Sequence, residues 1–501
     1  MANAASAASQ PSLTARTAWG FAWMMGQTVG GKVIQILGQI VLAWLLDREH
    51  FGEVAIAYVV FMFAMRLQDA GLREVLVHRQ RTFRHWANAA FWMAMCFGLL
   101  TGAVIAIAAP IASRVFDAPV TGLLLVLSLV APIITAGVPP YARMQNELRF
   151  RALATIGITS IALMTSLQVL LAWLGFGAYS WIIPLPVRFL YRTVFVWILA
   201  PTRIRRSPQL RRWRYLMPDG LRLITSDLLR TVVHQGDYMI LGLFFSTTVV
   251  GVYYFAYTLS TQTIQLLTMN LAKVLFPALS SLQLDINRQR DAFLRAAKTL
   301  TAAGVPICLL QVALAEPFIY LVFQEKWYPS IIVLQVLCLG MPLRLVLETS
   351  ESMIKAQGRF GTFVVLSAAC AATFLGLVYV AARIADEQNA GLTVAVAVAV
   401  SMLIFGPLHV YIAIRPAGGR WRDVLGVYAA PGVSGIIAVG LAWALSLLIP
   451  AEPGRNLGQM ARVVVTVVAA GALYLPLIRR TAPGAWNELR QQVLRFRMRA
   501  P

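Results

Sequence analysis

Four residues between positions 227 and 237 hold the most telling chemistry in this chain. Asp227, Arg230, His234 and Asp237 lie 0, 3, 7 and 10 positions along, so at about 100° per residue they share one stripe of a helix. Two acids, a permanent cation and an imidazole that titrates near neutrality suit a water-filled cavity where ions are held and exchanged. Thr28, Lys32, Gln35 and Gln39 form a second stripe. Further intramembrane groups are Arg66, Gln68 and Asp69; Arg188 and Arg192; and Arg344, Glu348 and Glu351. Arg344 and Glu348 stand four apart, a spacing at which opposite charges on a helix meet.

These residues need elements that carry charge through an apolar medium. The chain has 501 residues, 59% hydrophobic and 13% charged, and it reads as about fourteen apolar stretches separated by short turns. Some 20 such residues span the hydrocarbon core of a bilayer. An all-α, polytopic membrane protein is predicted. An ionisable side chain at that depth costs at least ~2.5–3.5 kcal/mol, so it faces a bundle interior or a cavity. Lys32, Gln35, Arg66, Arg230 and Arg344 are therefore expected to line a substrate cavity, and Asp227, His234, Asp237 and Glu348 to couple an ion. The same spacings admit a second reading, in which Asp227–Arg230 and Arg344–Glu348 are neutral pairs that fix helix packing.

The net charge of +22 would suit nucleic acid if it formed one face of a soluble domain. It is instead sorted by loop. Alternate gaps, beginning with the N-terminus, contain 29 of the 43 Lys and Arg residues, against four in the intervening turns, Arg48, Arg114, Lys326 and Arg455. Basic loops stay cytoplasmic, which places both termini inside and removes nucleic acid as a partner. Cys96, Cys308, Cys338 and Cys370 lie singly in apolar runs without metal-ligand spacing, so neither metal nor cofactor is expected. Ala18–Leu46 is too long for a cleaved signal and reads as the first span.

Leu42–Leu46, Phe51-Gly52 and Ala57-Tyr58 return as Leu241–Phe245, Val250-Gly251 and Ala256-Tyr257 at a constant offset. Both copies start inside, which implies a parallel repeat of six helices plus six. The predicted organisation is a disordered cytoplasmic N-terminus (1–17), a first lobe (18–200), an Arg-rich cytoplasmic loop (201–217), and a second lobe (218–414). Two appended helices (424–478) and a basic amphipathic tail (479–501) follow.

Ala18-Trp19-Gly20, Ile40–Leu46, Phe51-Gly52 and Gln68–Leu72 resemble the opening of Wzx-type polysaccharide flippases. These form part of the multidrug/oligosaccharidyl-lipid/polysaccharide exporter superfamily. Leu148–Arg151 and Ile354–Arg359 resemble further stretches typical of that family. The resemblance implies a MATE-like V of two lobes in the bacterial inner membrane. It further implies that polyprenyl-diphosphate-linked oligosaccharide moves between leaflets by alternating access, with a proton or sodium gradient as the drive and polysaccharide polymerase or export proteins as partners. A multidrug or metabolite cation antiporter and a lipid II flippase are the alternatives within the superfamily. A membrane glycosyltransferase or polymerase is a remote one, because no loop carries a cluster of acids for catalysis.

Overall fold

The computed structural model describes residues 13–68, 72, 76, 82–215, 217–450, 456–488, 490 and 491. Among these residues every regular element is a helix. In lipid a spanning segment must satisfy its own backbone N–H and C=O groups, and long apolar runs do so as helices. The chain divides into two units, residues 1–231 and 232–501.

The first unit contains α1 (Leu13–Leu45), α2 (Arg48–Gln68), α3 (Phe83–Val115), α4 (Thr121–Ala136), α5 (Val138–Asn146), α6 (Phe150–Trp173) and α7 (Tyr179–Leu199). Within it α1 packs along α6, and α3 packs against α4. Next comes α8 (Met217–Phe244), whose last turns open the second unit. That unit continues with α9 (Thr247–Ser280), α10 (Ile286–Val322), α11 (Ser330–Arg344), α12 (Leu347–Ala356), α13 (Phe360–Ile384), α14 (Ala390–Ile414), α15 (Trp421–Leu447) and α16 (Asn456–Thr481).

Eleven helices among the described residues are long and apolar enough to cross a bilayer, or twelve if α4 and α5, bent by 43°, count as one span. Fourteen spans were predicted. The two outside this set are α8 and α9, which at about 1.5 Å per residue are long enough to cross. Both are polar: α8 holds five charged residues, and α9 carries Thr258, Ser260, Thr261, Gln262, Thr263 and Gln265. The division at 231 also falls later than the expected boundary at the 201–217 loop. Side chains of the first unit hold that loop: Asn88 Nδ2 donates to Ser207 O at 2.7 Å, and Trp92 Nε1 to Arg205 O at 2.8 Å.

A similar turn occurs in each unit. Pro139 and Pro140 follow the bend into α5, and Pro342 precedes the break between α11 and α12; a proline ring cannot complete the helical ladder. A residue with left-handed backbone follows each short helix, Leu148 at φ 54° and Gly358 at φ 70°. An arginine comes next. Arg149 Nη1 donates to Leu199 O at 2.8 Å, and Arg359 Nη1 donates to Ile412 O at 2.9 Å. Each guanidinium thus satisfies a carbonyl at or near the C-terminal end of the second helix beyond its turn, where positive charge is favoured.

A Cβ at Gly358 would meet nothing within 4 Å, so a side chain there is opposed by backbone conformation alone. Gly358→Leu is expected to lower the unfolding free energy by about 1–2 kcal/mol. Leu148→Gly should change it little, because relief of the left-handed cost offsets the entropy of a glycine. Denaturation of the purified protein in detergent checks the pair; a neutral Gly358→Leu contradicts it.

Candidate functional site

The site in the second unit is built around the end of α11. Two glycines bring α11 and α14 to backbone contact. A Cβ on Gly340 would lie 3.0 Å from Ala399 Cα, and one on Gly406 would lie 2.8 Å from Leu343 O. Neither neighbour is a flexible tip, so the approach requires glycine. It fixes Leu343, and with it Arg344, the last residue of α11.

Arg344 is 8% exposed. Its Nη1 donates to Tyr257 Oη at 2.6 Å, and its Nη2 contacts His234 Nδ1. Guanidinium has donors only, so Nδ1 must accept, which leaves the imidazole neutral with its proton on Nε2. One turn before Tyr257 on α9, Tyr253 Oη donates to Asp237 Oδ2 at 2.8 Å. The other carboxylate oxygen, Oδ1, accepts from the Tyr238 N–H at 3.0 Å, and Asp237 is fully buried. The Tyr238 ring stands edge-on to those of Tyr253 and Tyr257, at centroid distances of 5.6 and 5.3 Å. Acid and guanidinium are each held by a phenol of α9, and the two rings lie 6.1 Å apart between centroids, with His234 contacting the guanidinium's other nitrogen. Protonation of His234 at Nδ1 would abolish its contact with Arg344 and set two cations side by side.

Three of the sequence-selected residues, His234, Asp237 and Arg344, meet here. Glu348 is half-buried on α12, beyond the break. The hydrogen bonds of Arg344 go to Tyr257 and His234. Glu351 pairs with Lys355 at 3.8 Å. On α8, Arg230 is exposed and the Asp227 side chain lies outside the described residues, as does Asp69.

In the first unit Lys32 and Gln35 are half-buried on α1. Arg66, in the last turn of α2, has its Nε buried without a hydrogen-bond partner among the described residues. Arg188 donates to the Met164 thioether at 3.6 Å, and the Arg192 guanidinium lies 4.4 Å from the Tyr141 ring centroid. None of these three arginines forms an ion pair with a described carboxylate.

Tyr253 and Tyr257 were missed by the charge-based reading. Their signal was present as two tyrosines four apart on the helix after the charged stripe.

A family profile described as "Polysaccharide biosynthesis protein" matches residues 41–332. The chain belongs to that family. The match covers Asp237, Tyr253 and Tyr257 and ends before Arg344. Among curated relatives, the succinoglycan biosynthesis transport protein ExoT of Rhizobium meliloti (strain 1021) is 25% identical, covering 67% of this chain and 68% of its own. The lipopolysaccharide biosynthesis protein WzxC of Escherichia coli (strain K12) is also 25% identical, with 70% and 71% covered. The resemblance read from Ala18-Trp19-Gly20 onward is borne out. Among solved structures, the lipid II flippase MurJ in an inward closed conformation covers 91% of this chain and 99% of its own at a TM-score of 0.68. At 12% identity that likeness shows the fold. The chain is a multi-pass, all-helical membrane protein of this fold.

Tyr253→Phe removes the phenol donor from the buried Oδ2 of Asp237. The unfolding free energy should fall by about 1–3 kcal/mol, measured as a lower denaturation midpoint in detergent. An unchanged midpoint contradicts the hydrogen bond.

Proposed function

We propose that this family member is a flippase. It carries polyprenyl-diphosphate-linked oligosaccharide from the cytoplasmic to the periplasmic leaflet of the bacterial inner membrane, for surface polysaccharide or exopolysaccharide synthesis. It works by alternating access, with both termini in the cytoplasm, and is not an enzyme. Arg66, Arg188 and Arg192 carry the reading. They are membrane arginines of one unit whose described partners are a thioether and an aromatic ring rather than acids. A diphosphate leaving water needs such uncompensated cations, and guanidinium meets it with a planar fork of donors. A cationic drug would be repelled by the same residues.

Lys32, Gln35, Arg230 and Arg344 are the remaining candidates for substrate contact. Coupling falls to His234, whose acceptor nitrogen is occupied by Arg344 in the neutral state. Asp227, Asp237 and Glu348 are the other groups through which a proton or sodium ion could act. Polymerase and export proteins are the expected partners downstream.

In a deletion strain, lipid extracts should accumulate polyprenyl-diphosphate oligosaccharide while surface polysaccharide disappears. The wild-type gene should restore both. Arg188→Ala at normal protein level should leave transport about tenfold or more reduced, the scale of one lost charge-assisted hydrogen bond. An unchanged lipid pool with intact surface polysaccharide rejects the reading.

A further inference from the structure

Residues 201–216 contain six arginines and no acid. A charge run of this kind is ordinarily a solvated linker. This one is built. Asn88 on α3, 5% exposed, turns both ends of its amide onto the segment. Its Nδ2 donates to Ser207 O and its Oδ1 accepts from Arg205 N, both at 2.7 Å. Trp92 Nε1 donates to Arg205 O at 2.8 Å, so both backbone groups of Arg205 are held. Arg143 Nη1 donates to Pro201 O at 2.5 Å.

The later part of the segment is fastened as well. Trp213 packs against the buried cluster that includes Leu76, Ala89 and Met93, and its Nε1 donates to Pro208 O at 3.1 Å. Arg212 points back, donating to His85 O at 2.5 Å and Gln209 Oε1 at 2.8 Å.

What this clasp presents outward is specific. Arg203, Arg205, Arg206 and Arg211 are exposed, and beside them Leu210 is 61% and Tyr215 55% exposed. We propose that residues 203–215 form an interfacial platform for anionic phospholipids. The four arginines meet the headgroup phosphates, and Leu210 and Tyr215 sit at the acyl boundary. The platform begins four residues after α7 ends at Leu199 and ends two before α8 starts at Met217, so such a short connection keeps it at the membrane surface. The exposed leucine and tyrosine select a lipid surface over an acidic protein or free phosphate, since neither offers an apolar layer beneath its charges. Basic residues near an anionic leaflet each add about 1 kcal/mol in general; Asn88 fixes the backbone at Arg205 and Ser207, in the middle of the array.

The test uses the full-length protein in detergent, titrated with phosphatidylglycerol or phosphatidylcholine, with bound lipid counted by native mass spectrometry. Wild type should prefer phosphatidylglycerol. The combined variant Arg203→Gln, Arg205→Gln, Arg206→Gln, Arg211→Gln should lose that preference by about fivefold per arginine. Asn88→Ala, with every arginine retained, should weaken it in part. Leu210→Ser with Tyr215→Ser should weaken binding of both lipids, and it keeps the test open if the arginine variant fails to fold. Inorganic pyrophosphate should not displace phosphatidylglycerol. An unchanged preference in the folded arginine variant, undiminished binding in the Leu210/Tyr215 variant, or displacement by pyrophosphate overturns the proposal.

Discussion

A guanidinium stays charged at any pH a cell reaches, so a membrane helix that buries one must surround it with acceptors or lose stability. Arg344 is that group in the second unit, and the local structure follows from satisfying it. Tyr257 supplies an oxygen and His234 a ring nitrogen. Asp237, the nearby acid, is held separately by Tyr253 and the Tyr238 backbone. Hydrogen-bonding side chains on α8 and α9 are needed for this, which is why those two helices are the polar ones. Pro342 and the break after Arg344 end α11 where the guanidinium needs its partners, and Gly406 lets α14 press against the same point.

The first unit solves a different problem. Arg188 and Arg192 rest against a sulfur and a ring, which shield them without neutralising them. A site meant only to stabilise the fold would place an acid there, because an ion pair lowers the penalty of charge in lipid. Cations left uncompensated by described acids suit a negatively charged passenger. Arg344 is satisfied by hydrogen-bonding side chains, whereas Arg188 meets only a thioether and an aromatic ring.

Much of this was legible in the sequence. The length and polarity of the apolar runs predicted the helices, and the stripe on α8 pointed to His234 and Asp237. What escaped was whatever depends on uncharged residues or on breaks. Tyrosine carries no formal charge, so Tyr253 and Tyr257 were not among the candidate site residues although they hold Asp237 and Arg344. The break between α11 and α12 falls between Arg344 and Glu348, and the proline two positions earlier was its signal in the sequence. The turns after α5 and α12 share a likeness that the sequence does not announce. Leu148-Arg149-Phe150 and Gly358-Arg359-Phe360 share a backbone conformation and a carbonyl-capping arginine, and Leu148 hides the likeness because it is not glycine.

The central claim is electrostatic: intramembrane arginines carry a diphosphate across. It is tested most directly by reconstituting the purified full-length protein into vesicles with two glycolipids that share sugar and polyprenyl tail. One is joined through a diphosphate and the other through an uncharged link, and their arrival at the opposite leaflet is followed over time. The account predicts protein-dependent movement of the diphosphate-linked lipid alone. Equal movement of both would contradict it.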